Sequence, residues 1–182
     1  MEITFSTVWR SLIDFALNPR QNPLSDQYRT LPHKFFPYLL GIDFLLMFFL
    51  SAILSMVGVE EMDHEIEKLL DDPLLLAGMA IFIAPIVEEA IFRLPIGPWL
   101  GKYFKVIFWI LTFGFAALHL TNFNSSFPIY LAPLLVLPQF FLGIMLGYIR
   151  VGWGFWYAVF FHATHNGILV GLALIGAKFG LA

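Results

Sequence analysis

The stretch Leu74-Leu75-Leu76-Ala77-Gly78-Met79-Ala80-Ile81-Phe82-Ile83-Ala84-Pro85-Ile86-Val87-Glu88-Glu89-Ala90-Ile91-Phe92-Arg93 decides how this chain is read. It is long and apolar enough to cross a bilayer as a helix. Yet it ends in two adjacent carboxylates and a guanidinium. A charge at the centre of a membrane helix costs at least about 2.5–3.5 kcal/mol on insertion scales, so ionisable residues there mark a functional site by default.

The rest of the chain agrees with a membrane setting. Its 182 residues are 59% hydrophobic and 18% aromatic, and only 13% are charged. A typical soluble domain carries about 25% charged residues. Mean hydropathy is +0.81. A soluble protein of this size has no room to hide so much apolar surface. The expected fold is therefore all-α: a polytopic transmembrane helical bundle of about five spans, with short interfacial helices and one domain. A net charge of −3 argues against a nucleic-acid partner. The absence of cysteine removes disulfides, thiolate ligands and a cysteine nucleophile together. Thiol-alkylating reagents are accordingly expected to leave any activity of the chain unchanged. The first 30 residues hold no long apolar run, so no cleavable signal peptide is expected.

Residues 1–37 read as a polar arm broken by Pro19, Pro23, Pro32 and Pro37. Within it Ile3, Phe5, Val8, Trp9, Leu12, Ile13 and Phe15 fit an amphipathic helix on the membrane, ending near Asn18-Pro19. An unordered arm is the competing reading. The transmembrane domain then occupies residues 38–182. Its spans are expected at Tyr38–Val59, from Leu74, at Phe104–Leu120, at Phe127–Ile149 and at Trp153–Gly176. Asp43 lies near the start of the first span, where a carboxylate close to the interface stays wet. Between Glu60 and Asp72, Met62, Ile66, Leu69 and Leu70 recur at helical spacing and suggest a short interfacial helix, stopped by Pro73. Gly143 and Gly147 form a small-x-x-x-small pair that allows close helix contact. Trp99, Tyr103, Tyr148, Trp153 and Trp156 read as interfacial anchors. Arg10, Arg20, Arg29, Lys34, Lys102, Lys105 and Arg150 gather on one side of this topology, which places the N-terminus in the cytoplasm. Lys178 is a small count against it.

Three spans carry polar residues of catalytic type: Glu88, Glu89 and Arg93; His119; and His162, His165 and Asn166. One shared site requires them at one depth. If the second span stopped at Arg93, its carboxylates would lie near the cytoplasmic surface, far from His119. The expectation is instead that the helix continues through Leu94-Pro95-Ile96-Gly97-Pro98-Trp99-Leu100 to a turn near Gly101-Lys102-Tyr103. Glu89 then sits roughly 14 residues before that turn and His119 roughly 16 after it, about 21–24 Å each way. His162 and Asn166 lie about 18–24 Å past Arg150 by the same rise. Pro95 and Pro98 would kink or partly unwind that helix. Glu89 and Arg93 are i,i+4 and able to pair, leaving Glu88 freer to meet water. His162 and Asn166 are also i,i+4. Phe115, four residues before His119, is placed to pack on its ring.

These groups suit hydrolysis. A carboxylate and an imidazole, here Glu88 and His119, can activate water. A second imidazole and an amide, His162 and Asn166, can donate to an oxyanion. Alternatively Glu88, His119 and His162 could hold a zinc ion with water in the fourth position; Asn166 is a poor zinc ligand. The chain has no G-x-S-x-G elbow and no H-E-x-x-H motif. Taken singly, each residue also has a plain reading: His119, Thr164 and Asn166 as polar links between helices, Glu89–Arg93 as a structural ion pair.

Three motifs in order, Glu88-Glu89-Ala90-Ile91-Phe92-Arg93, Phe115-Ala116-Ala117-Leu118-His119 and His162-Ala163-Thr164-His165-Asn166, resemble the CAAX protease and bacteriocin-processing family of intramembrane proteases. Phe141-Leu142-Gly143-Ile144-Met145-Leu146-Gly147-Tyr148 is similar to the glycine-bearing helix before that family's last motif. The resemblance runs over about residues 74–172, which would be the catalytic core. It implies an intramembrane endopeptidase in which Glu88 and His119 activate water, His162 and Asn166 stabilise the oxyanion, and Glu89 with Arg93 holds Glu88. Whether a metal takes part is left open by the family, and His165 has no role there to carry over. Leu94 stands where many members have glycine. The implied substrate is a membrane-associated or lipidated peptide or protein, and the implied location a prokaryotic plasma membrane. A catalytically silent immunity or scaffold protein of the same fold is the alternative, and a proton-coupled transporter a third class.

Overall fold

The computed structural model describes residues 2–56, 72–123 and 128–179. It is built of helices, with no β-strand among the described residues. We label the longer ones α1 (Phe5–Leu17), α2 (Pro32–Met56), α3 (Pro73–Phe92), α4 (Phe104–Leu118), α5 (Leu137–Trp153) and α6 (Phe155–Phe179). Five segments are long and apolar enough to cross a membrane: α2, α3, Pro98–Asn122 containing α4, Ile129–Trp153 containing α5, and α6. Their outer faces are apolar and uncovered, with Phe48, Phe49, Phe82, Ile110, Phe113 and Leu172 among the exposed side chains. Water would penalise such a surface and lipid would not. The chain is an all-α integral membrane protein.

Several boundaries differ from expectation. The first span begins at Pro32, not Tyr38, because Pro37 falls within the early turns of α2. There its missing N–H costs one intrahelical bond rather than the helix. Pro73 occupies the first position of α3, and the Asp72 carboxylate caps the Leu75 N–H at 3.0 Å. Arg150, expected in a turn, lies in the last turn of α5. The expected interfacial helix at 60–72 falls outside the described residues save for Asp72.

Helix α1 is ordered, and it faces inwards. Val8, Leu12 and Phe15 are buried, while Phe5, Trp9, Ile13 and Leu17 are exposed. Phe15 meets Phe108 and Tyr148 edge-on, at 5.1 and 5.4 Å between ring centres. The Ser11 hydroxyl bonds the Tyr148 hydroxyl at 2.8 Å. The arm is thus keyed into the core by one face and leaves an apolar strip on the other.

Helix α5 is central, packing against α2, α4 and α6. Leu142 through Ile149 is buried without interruption. Gly143 and Gly147 explain the approach of α4. A Cβ on Gly143 would stand 3.3 Å from Thr112, Phe115 and Arg93 side-chain atoms, and one on Gly147 would come within 2.4 Å of Phe108 Cε2. Phe108 is fully buried and has nowhere to go. Gly147→Ala is therefore expected to lower stability by about 1–3 kcal/mol through overpacking. Thermal unfolding in detergent checks this, and Phe108→Leu in the same background should recover part of the loss.

Gly154 alone joins α5 to α6. Its φ of 106° lies where side chains are rarely tolerated, and its N–H closes on the Arg150 carbonyl at 3.0 Å. This tight turn sets α6 antiparallel to α5 and carries His162 to the depth of the glutamates.

Candidate active site

Helix α3 is interrupted twice, and both interruptions shape the site. Between Gly78 and Ile83 it winds as a π-helix, so the Ala84 N–H bonds the Met79 carbonyl. The next residue, Pro85, has no N–H to give. The Ala80 carbonyl is thus left without a backbone donor. Asn166 fills the gap: its Nδ2 donates to that oxygen at 2.8 Å. Such π turns recur at functional positions.

The second interruption goes beyond the kink or partial unwinding expected at Pro95 and Pro98. The helical part of α3 ends at Phe92, with Arg93 as its C-cap. Leu94 and Gly97 each precede a proline and so disfavour helical backbone. The chain runs on irregularly to a 3-10 segment at Pro98–Tyr103. The glutamates and His119 still meet, because this connection covers the remaining depth before α4 returns over its 15 residues. Unwound backbone at such depth survives only when protein surrounds it. Here Arg93 and Ile96 are buried, and the Arg93 carbonyl accepts from the Ile96 N–H at 3.1 Å and from Arg150 Nε at 3.0 Å.

Glu88, His119 and His162 converge. Oε2 of Glu88 lies 3.8 Å from Nε2 of His119 and 3.8 Å from Nε2 of His162. That separation is too long for a direct hydrogen bond and suits a bridging water. The Glu88 Oε2 atom is buried with no hydrogen-bond partner among the described residues. Both imidazoles are oriented from behind. Nδ1 of His119 donates to the Phe115 carbonyl at 2.9 Å, and Nδ1 of His162 bonds Glu89 Oε1 at 3.1 Å. A carbonyl only accepts, so a neutral His119 carries its proton on Nδ1 and turns a lone pair towards Glu88. With Glu89 ionised, the same holds for a neutral His162.

Glu89 and Arg93 do pair, at 3.8 Å between Oε2 and Nε, and both are almost fully buried. What they hold is His162 rather than Glu88. The guanidinium also donates from one terminal nitrogen to the Gly143 carbonyl at 3.3 Å and lies 4.2 Å over the Phe115 ring. Phe115 in turn packs on His119, with 4.7 Å between ring centres, and meets His162 edge-on at 5.8 Å. One ring therefore spaces the arginine from both histidines, the packing that Phe115 and His119 four residues apart predict.

Asp43 corrects another expectation. It is buried and hydrogen-bonded to His165 Nδ1, 122 residues away, while His165 stacks on Phe44. The pair ties α2 to α6 beside His162. Asp43→Leu alone leaves the buried imidazole without its partner, at an expected cost of about 1–3 kcal/mol. Asp43→Leu with His165→Phe should unfold closer to wild type. A single variant as stable as wild type in detergent would contradict the pairing.

The donor set has the chemistry of a catalytic zinc site: two imidazole Nε2 atoms and a carboxylate, with each Nδ1 anchored. Among the described residues no three such side chains close to the spacing of a bound ion.

Comparison with known families bears on these same residues. The model of the type II CAAX prenyl endopeptidase Rce1-like family matches residues 70–168. That match covers more than half the chain. The chain belongs to this family. All six residues singled out from the sequence, Glu88, Glu89, Arg93, His119, His162 and Asn166, fall inside the matched region, as do His165 and Arg150. Asp43 lies outside it. No curated protein and no solved structure matches the chain. In this family member the expected set is brought to two points, Glu88 with both histidines and Asn166 against Ala80. The residues sequence reasoning missed are Asp43, Arg150 and the Ala80 carbonyl; of these only the last had a signal, the missing N–H of Pro85.

Proposed function

We propose that the chain is an intramembrane endopeptidase that hydrolyses a peptide bond of a membrane-associated or lipidated substrate with water activated by Glu88 and His119. The convergence of a buried, partnerless carboxylate oxygen with the His119 lone pair and the His162 ring carries this reading. Glu88 Oε2 and His119 Nε2, two acceptors facing one gap, call for a donor between them, and water is the donor a hydrolase needs.

In this reading Glu88 takes the proton of the water as its oxygen bonds the scissile carbonyl carbon, with His119 orienting the nucleophile. The carbonyl electrons move onto oxygen. His162, as imidazolium between Glu88 and Glu89, donates from Nε2 to that oxyanion, and Asn166 offers its second amide hydrogen. When the intermediate collapses, the proton held by Glu88 passes to the leaving amine. Arg93 neutralises Glu89, so that Glu89 can hold Nδ1 of His162 without an unpaired charge. A zinc ion, if bound, would be held by Glu88, His119 and His162 and would supply Lewis-acid polarisation.

The family supports a prenylated C-terminal peptide as first substrate to try, with leader peptides and C-terminal sorting tags as others. Orientation with the N-terminus in the cytoplasm of a prokaryotic cell is supported by the basic residues. Lys105 bonds Asn18 and Gln21 bonds the Pro98 carbonyl, so the arm and the 98–105 connection share one side.

Cleavage in the presence of hydroxylamine tests direct attack by water. The expected product is a free carboxylate alone. A hydroxamate would reveal an acyl-enzyme and overturn the mechanism. Activity lost to a chelator and restored by zinc would assign the ion to the three ligands.

A further inference from the structure

A cavity of about 650 Å³ lies apart from Glu88, between the N-terminal arm and the junction of α5 with α6. Arg29, Arg150 and His33 line it, with Gln21, Asn22 and Trp153 among the polar and aromatic residues beside them. No carboxylate lines it among the described residues. Among the described residues Arg29 has one neutral partner, Asn22 Oδ1, and its buried Nε has no hydrogen bond. Arg150 gives its Nε to the Arg93 carbonyl and faces no described carboxylate. Two arginines that line one cavity with no described carboxylate leave its positive charge unneutralised. Such an arrangement is stable when an anion completes it.

We infer that this cavity binds a phosphate group, that of an anionic phospholipid headgroup. Paired guanidinium groups match the several oxygens of phosphate better than a single carboxylate does. The position favours lipid. Trp153 lines the cavity, and the exposed Trp99 and Trp156 stand near it in the chain, the aromatic belt that marks headgroup depth. Basic pockets at helix ends are a known form of headgroup recognition. The volume suits a small polar headgroup. Arg150 also reaches the broken end of α3, so a bound headgroup would steady the residue that satisfies the Arg93 carbonyl.

The test is binding and does not depend on proteolysis. Delipidated protein in detergent is titrated with short-chain phosphatidylglycerol, short-chain phosphatidylcholine and inorganic phosphate, followed by native mass spectrometry and thermal unfolding. Phosphatidylglycerol should bind and raise the unfolding midpoint, and phosphatidylcholine should do so much less. Arg29→Gln should weaken phosphatidylglycerol binding about tenfold, the loss of one charge-assisted contact. Arg29 is chosen because Arg150→Gln would also take one of two donors from the Arg93 carbonyl. Inorganic phosphate protecting as well as the lipid would keep the phosphate site and assign it to a soluble ligand. Equal binding of the two lipids, or Arg29→Gln binding as wild type does, would overturn the inference.

Discussion

Glu88→Gln is expected to abolish cleavage while leaving the protein folded. Glutamine keeps the shape of the side chain and removes the base. Losses of about 10²–10⁴-fold are usual for a general base, and the buried setting favours the upper end. Stability should hardly change. Glu88 makes no pair with Arg93, its side chain is 19% exposed, and its neighbours are two imidazoles at 3.8 Å. A neutral amide there even removes a charge that the membrane penalises. The readings are turnover of a membrane peptide and the thermal unfolding midpoint of the same preparation. A variant that cleaves at the wild-type rate would remove Glu88 from the chemistry.

Arg93→Met is expected to have the opposite profile, a large loss of stability with activity lost as a consequence. The guanidinium is buried against the Glu89 carboxylate, the Gly143 carbonyl and the face of Phe115. Removing one partner of a buried ion pair typically costs about 3–5 kcal/mol, because the other charge is left stranded. Adding Glu89→Gln should restore much of the stability, since no unpaired charge remains. It should not restore cleavage, because glutamine in place of Glu89 holds His162 without charge. A single Arg93→Met as stable as wild type would show that the pair contributes nothing to the fold.

The two expectations separate the glutamates by role, and much of that separation was legible in the chain. Glu89 and Arg93 are four apart on one helix, as are Phe115 and His119, so each local pair follows from helical spacing alone. The membrane setting was equally plain, because apolar runs of span length have few other uses. What spacing does not carry is contact between distant helices. Asp43 looked wet because its partner, His165, stands 122 residues away. Arg150 looked like a topological charge because nothing local tells that its guanidinium reaches the Arg93 carbonyl, 57 residues away.

The path of α3 shows where the argument from depth went astray. It required Glu89, His119 and His162 at one level, and the structure agrees. The helix was expected to run on from Arg93 with a kink or partial unwinding at Pro95 and Pro98, and the two prolines with their preceding residues end it at Phe92 instead. Arg150 and the buried surroundings of Arg93 and Ile96 make the unwound path tolerable. The π turn before Pro85 follows the same logic, a backbone group freed by proline and satisfied by a side chain from another helix.

The central claim is that this site hydrolyses peptide bonds within the membrane. Its most direct test is a purified preparation in proteoliposomes, offered a farnesylated C-terminal peptide, with products read by mass spectrometry. The account predicts cleavage by wild type at one bond and no product from Glu88→Gln or His119→Ala. Product formed equally by all three would contradict it.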